Sequence, residues 1–173
     1  MLRLLLGAAV LVSSMSAFAA KPLAQVAATD PLEASIAGEF ALQAGQLPEA
    51  ARRYLQAAQA ASDPVLAERA TRIALLANED ALARQGYALW QALAPQPSAP
   101  RQAVAATLAL RAGDKRAARR ELRALLATGD NGWKHVLAGL IGAVGKQPKL
   151  VVTLLGDLVD DDALPHRLEP WLG

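Results

Sequence analysis

Apolar residues along this chain fall in blocks of helical length, and the breaks between the blocks recur. Asp30-Pro31 opens the first block. Aspartate can accept from the free N–H groups of a first turn, and proline at the first helical position lacks only an N–H that would be unpaired anyway. Leu32, Ile36, Phe40 and Leu42 form its apolar stripe, and Ala44-Gly45 closes it, because glycine accepts the left-handed backbone of a helix cap. A second helix is predicted from about Pro48 to Ala61. Asp63-Pro64 repeats the opening, the helix that follows ends near Asn78, and its partner runs from about Asp80 to Ala94. Pro95, Pro97 and Pro100 interrupt the chain before a third pair, broken at Gly113-Asp114. A fourth pair is split at Gly145, with Pro148 starting its second helix. The sequence therefore predicts an all-α fold.

The breaks are in phase. Gly45, Asn78, Gly113 and Gly145 lie 33, 35 and 32 positions apart, the spacing of a helix–turn–helix unit of about 34 residues. Five residues beyond each turn come Ala50, Ala83, Ala118 and Leu150, and nine beyond it Tyr54, Tyr87, Leu122 and Leu154. Five before it stand Phe40, Ile73, Leu108 and Leu140; three before it, Leu42, Leu75, Leu110 and Gly142. A small first-helix residue recurs as Gly38, Thr71, Ala106 and Ala138, and Pro95 closes the second unit. In these features residues 31–161 resemble the tetratricopeptide repeat family, most closely in the first unit through Gly38, Gly45, Leu47, Ala50, Tyr54 and Ala57. The fourth unit departs most, at Leu150 and Gly142. The resemblance implies a right-handed α-solenoid of about four units, with 162–173 (Leu164, Leu168, Trp171 and Leu172 at helical spacing) capping its open end.

The stretch from Ser62 to Leu75, SDPVLAERATRIAL, is similar to one in exported tetratricopeptide proteins of Gram-negative bacteria. Some of those are outer-membrane lipoproteins that scaffold a carboxyl-terminal processing protease and cell-wall hydrolases. This chain departs from them in having no lipobox cysteine and only about four units. Its N-terminus reads as an export signal: Arg3, an apolar run from Leu4 to Val12, three serines, then Ala17-Phe18-Ala19. That run is too short for the roughly twenty residues of a membrane span. The expected layout is a signal at 1–19 cleaved near Ala19, a leader at 20–30 and a periplasmic mature protein.

Composition narrows the chemistry. About 40 of the 173 residues are alanine and 4% are aromatic, a helix-forming mixture. With no cysteine there is no disulfide, thiolate zinc site or cysteine nucleophile. His135 and His166, 31 residues apart, show no metal-ligand spacing, and Ser35, Ser62 and Ser98 lack a nucleophile-elbow context. Gly139, Gly142, Gly145 and Lys146 fall short of a phosphate loop, since Gln147 stands where Ser or Thr is required; glycines so spaced form a flat ridge for helix packing. We expect no enzymatic activity, no metal and no cofactor. The net charge of +2 gives no nucleic-acid signal.

Two surfaces remain as candidates. Lys115, Arg116, Arg119, Arg120 and Arg123 fall on two adjacent rows of one helix, a solvated outer face or a docking face for an anionic partner. Asp157 and Asp160 to Asp162 form an acidic run at the last boundary, suited to helix capping. The family resemblance places the partner-binding groove on the first helix of each unit, which carries over here to Glu39, Gln43, Glu68, Arg72, Thr107, Arg111 and His135. Arg72 and Arg111 are the candidates to grip carboxylates, with Glu68–Arg72 pairing at i,i+4 as the internal alternative. The function expected is a noncatalytic adaptor that binds a protein or peptide partner. The alternatives are an accessory module for a cell-wall hydrolase or protease, or self-association through the solenoid ends.

Overall fold

The computed structural model describes residues 30–128 and 131–160. The expected signal (1–19), the leader before Asp30 and the capping segment 162–173 lie outside the described residues. Among the described residues the chain forms eight helices and no strand: α1 (Pro31–Gln43), α2 (Leu47–Ala61), α3 (Pro64–Leu76), α4 (Asp80–Leu93), α5 (Ala99–Arg111), α6 (Lys115–Leu126), α7 (Gly132–Val144) and α8 (Pro148–Asp160). They pack as four antiparallel hairpins in a solenoid-like row. α1 to α4 pack each on the next, α5 folds back on α6 and also lies along α7, and the contacts of α4 with α5 and of α7 with α8 are light.

The helix boundaries have local causes. Asp30 and Asp63 cap α1 and α3 through carboxylates that accept from the Leu32 N–H at 2.8 Å and the Val65 N–H at 2.7 Å. Asp114 does the same for α6, accepting from the Ala117 N–H. Three of the four repeat turns are the same motif. At Gly45, Asn78 and Gly113 φ is +72°, +61° and +76°. In each, the N–H of that residue returns to the carbonyl three before it, and the next N–H reaches five back, as Gln46 does to Ala41. Asparagine substitutes for glycine because its short polar side chain tolerates the left-handed region. The fourth turn differs: Gly145 stays right-handed at φ −63°, and Lys146 and Gln147 both donate to the Ala143 carbonyl. One further left-handed residue, Ser62 at φ +52°, ends α2 and has no glycine to announce it.

Packing corrects two expectations. The face that α1 buries is Ala34, Gly38 and Ala41, whereas Leu32, Ile36 and Phe40 are 66%, 48% and 66% exposed. The reason lies in the repeat itself. The equivalents of Phe40 in later units, Ile73, Leu108 and Leu140, are buried against neighbouring hairpins, but among the described residues no hairpin precedes α1. In the fourth unit the small residue at the close contact is Gly139, facing the Ala103 carbonyl and Ala106; the expected Ala138 is exposed. Among the other expected positions Ala50, Ala83, Ala118, Tyr54, Leu110, Leu122 and Leu154 are buried, whereas Leu42, Leu75, Tyr87 and Leu150 are half-buried. Two apolar clusters result, one within α1–α4 that Val104 and Leu108 of α5 join, and one within α5–α8.

Candidate functional site

A hollow of about 680 Å³ is walled by the first helices α3, α5 and α7. Its walls are mainly apolar, from Leu75 and Leu76 of α3, Pro100 and Val104 of α5, and Ala138 and Ile141 of α7. Leu76 and Ile141, both 71% exposed, face solvent at this hollow. Four of the residues expected in the groove meet here: Arg72, Thr107, Arg111 and His135. Glu39, Gln43 and Glu68 do not line it.

These four residues are in different situations. Thr107 is buried, and its hydroxyl donates back to the Ala103 carbonyl at 2.9 Å and lies 3.1 Å from the Gly139 carbonyl. It therefore ties α5 to α7, and its methyl fills the space a Cβ at Gly142 would occupy. Arg111 is equally committed. Its Nε donates to the Gly142 carbonyl at 2.8 Å and one terminal nitrogen to Asp80 at 2.9 Å, with only 9% of the side chain exposed. A role in gripping an incoming carboxylate gives way to an internal one. Arg72 pairs with Glu68 at 2.7 Å, the internal i,i+4 alternative, but half its side chain stays open at the rim. His135, half-buried, also lines the hollow.

The polar group that Arg111 reaches from the wall of the hollow was not legible in the sequence. Asp80, at the start of α4, accepts from Arg111 of α5 and, at 2.6 Å, from Lys146 just beyond α7. Lys146 also donates to the Asn78 carbonyl at 3.2 Å. Burial would raise the Asp80 carboxyl, but the hydrogen bonds from Lys146 and Arg111 outweigh it and hold the group below the usual aspartate range. Three repeat turns are thereby clamped together. On the other side of the α4–α5 junction, the buried Arg101 donates to the Ala94 carbonyl and, at 3.1 Å, to the Pro95 carbonyl, satisfying the proline-rich connection.

Glu39 belongs to a separate cluster at the α1–α3 edge. It accepts from the Tyr54 hydroxyl and from Arg69, whose guanidinium lies 4.5 Å from the Tyr54 ring centre. Its carboxyl is held low, chiefly by the Tyr54 bond. The basic residues Lys115, Arg116, Arg119, Arg120 and Arg123 all lie on α6 and border a shallow depression of about 590 Å³. Asp157 of α8 pairs with Lys115 at 3.2 Å and Arg119 at 3.1 Å, and Glu121 pairs with Arg120 at 2.9 Å.

Among the described residues no three His, Cys, Asp or Glu side chains gather as metal ligands, and no helix is long and apolar enough to cross a membrane. Compared with family models, curated proteins and solved structures, the chain matches none.

Proposed function

We propose that the protein is an exported, tetratricopeptide-type adaptor that binds a protein or peptide segment in the hollow between α3, α5 and α7. The observation that carries this reading is the hollow itself: concave, apolar-walled, and lined in part by Arg72 and His135. A groove of this kind suits a helix or extended segment that buries an aliphatic side chain between Leu76 and Ile141, while rim charges set its orientation. The internal pairing of Arg111 and Thr107 supports the reading indirectly, because binding walls work best when already fixed.

A display selection of random peptides against the immobilised chain tests the groove. Ile141→Asp and Leu76→Asp are expected to abolish recovery of the selected peptides. Val152→Asp, at an exposed site on α8 away from the hollow, is expected to leave it intact. Equal recovery from all three variants would sink the proposal. Export is tested by sequencing the N-terminus of protein recovered from a bacterial periplasm, with Ala20 or Lys21 as the expected start.

A second reading, self-association, has an observation of its own in the exposed Leu32, Ile36 and Phe40 stripe on α1. Light scattering at two concentrations, with and without Phe40→Ser, separates it from the adaptor reading.

A further inference from the structure

Two features of the junction between the halves lie at opposite ends of the helices that wall the hollow. Asp80 accepts from Arg111 at 2.9 Å and from Lys146 at 2.6 Å, and Lys146 also donates to the Asn78 carbonyl at 3.2 Å. These bonds gather the C-terminal ends of α3, α5 and α7 at one end. The covalent connection between the halves, 94–98, runs from the end of α4 to the start of α5. Because α4 folds back along α3, that connection lies at the other end. It is not helical, holds Pro95 and Pro97, and has its Ala94 and Pro95 carbonyls satisfied by Arg101.

Between these two ends the halves are lightly joined. α4 packs far less on α5 than on α3, and α3 makes only sparse contact with α5 and α7. Two side chains of α5, Val104 and Leu108, enter the first core. A proline-bearing connection with little packing across it is a natural pivot for rigid-body rotation, and a bond at the far end resists that rotation with the greatest leverage.

We propose that the two halves rotate about the 94–98 connection, and that the contact of Asp80 with Lys146 and Arg111 is a latch holding the hollow at its present width. Leu76 ends α3 and Ile141 stands in the last turn of α7, so both lie at the latch end, and release parts them. A rotation of about 15° about one end carries the other end of a roughly 20 Å helix by about 5 Å. Asp80 and Lys146 keep 21% and 33% of their side chains exposed, so water takes over their hydrogen bonds when the latch opens. The latch acts on the width of the hollow and is independent of what the hollow takes up.

The chain has no cysteine, so spin labels go only where cysteines are introduced. Arg84→Cys with Lys149→Cys spans the latch end, and Val65→Cys with Lys134→Cys spans the connection end. All four sites are exposed and none lines the hollow. Distances are read by double electron–electron resonance, and circular dichroism checks that the helices persist. With the latch intact, each pair should give one distance. Lys146→Gln and Asp80→Asn are each expected to add a second population about 5 Å longer at the latch-end pair and to leave the connection-end pair unchanged. Lys146→Arg, which keeps the charge and the donors, should keep the single distance. Lys146→Gln alters a partly exposed side chain, so its outcome stands even where Asp80→Asn unfolds the chain. An unchanged latch-end distance in Lys146→Gln would overturn the proposal. So would equal broadening at both pairs, the mark of general loosening, or a long population already dominant with the latch intact.

Discussion

The two halves of this molecule solve the same packing problem with different side chains. In α1–α4, eight of the twelve residues of the first buried core are alanine, so the helices approach closely and the few large groups, Tyr54, Leu55, Ile73 and Trp90, fill the gaps. In α5–α8 only four of twelve are alanine and six are leucine. There glycines make the close approaches, Gly139 and Gly142 of α7 against Ala106 and Thr107 of α5, and Gly132 against the Leu125 carbonyl at the end of α6. The halves meet through Val104 and Leu108 of α5, which join the first core, and through the polar clamp around Asp80. A repeated turn therefore does not dictate a repeated core: the first three turns share one geometry while the packing beneath them changes.

The difference predicts opposite vulnerabilities. The second half should suffer most from deletion. Leu122 is fully buried, and Leu122→Ala is expected to cost about 3–5 kcal/mol, read as a shift of the urea midpoint. The first half should suffer most from enlargement. Ala50 is equally buried between close helices, and Ala50→Leu should cost about 1–3 kcal/mol by overpacking. A first half that accepts the leucine at no cost would remove the distinction.

The junction is the third place to press. Asp80→Asn leaves Arg111, nearly buried, without its carboxylate, and is expected to cost about 1–2 kcal/mol at neutral pH. Because the Asp80 carboxyl sits below its ordinary value of 3.8, the stability it contributes is present above about pH 4 and is lost as pH falls further. Asp80→Asn should therefore remove part of the chain's acid sensitivity. Melting curves at pH 7 and pH 3 for both chains check this; parallel losses would show that the clamp does not couple the halves.

How much of this was legible follows from which interactions are local. Helix caps and turns depend on a few neighbouring residues, so Asp30, Asp63, Gly45, Asn78 and Gly113 announced themselves. Ser62 did not, because nothing in a serine advertises a left-handed backbone. The stripe on α1 misled because Leu32, Ile36 and Phe40 are more hydrophobic than the alanines beside them. In a closely packed pair it is the small face that is buried. At the hollow, position within the repeat brought Arg72, Thr107, Arg111 and His135 to one place, but only their long-range partners decide what each does. Asp80 lies 31 residues from Arg111 and 66 from Lys146, and a sequence offers no reason to choose those pairs over others.

The smallest expected effect isolates the first half by its chemistry. Both tyrosines of the chain, Tyr54 and Tyr87, lie in α2 and α4, so alkaline titration reports on that half alone. Burial, then the bond to Glu39, pushes the Tyr54 hydroxyl from 10.0 up to about 12, and burial raises Tyr87 as well. A hydroxyl whose value is raised on folding stabilises the fold fully below pH 10, and that contribution is lost as pH climbs toward 12. In a Tyr87→Phe chain, absorbance of tyrosinate near 295 nm should stay low at pH 11 while folded and rise on adding urea. Tyr54→Phe should reduce the alkaline loss of stability, whereas Leu122→Ala should leave that loss unchanged. A tyrosinate signal already complete at pH 11 without urea would mean that the alanine-lined core admits water, and that close packing does not set the first half apart.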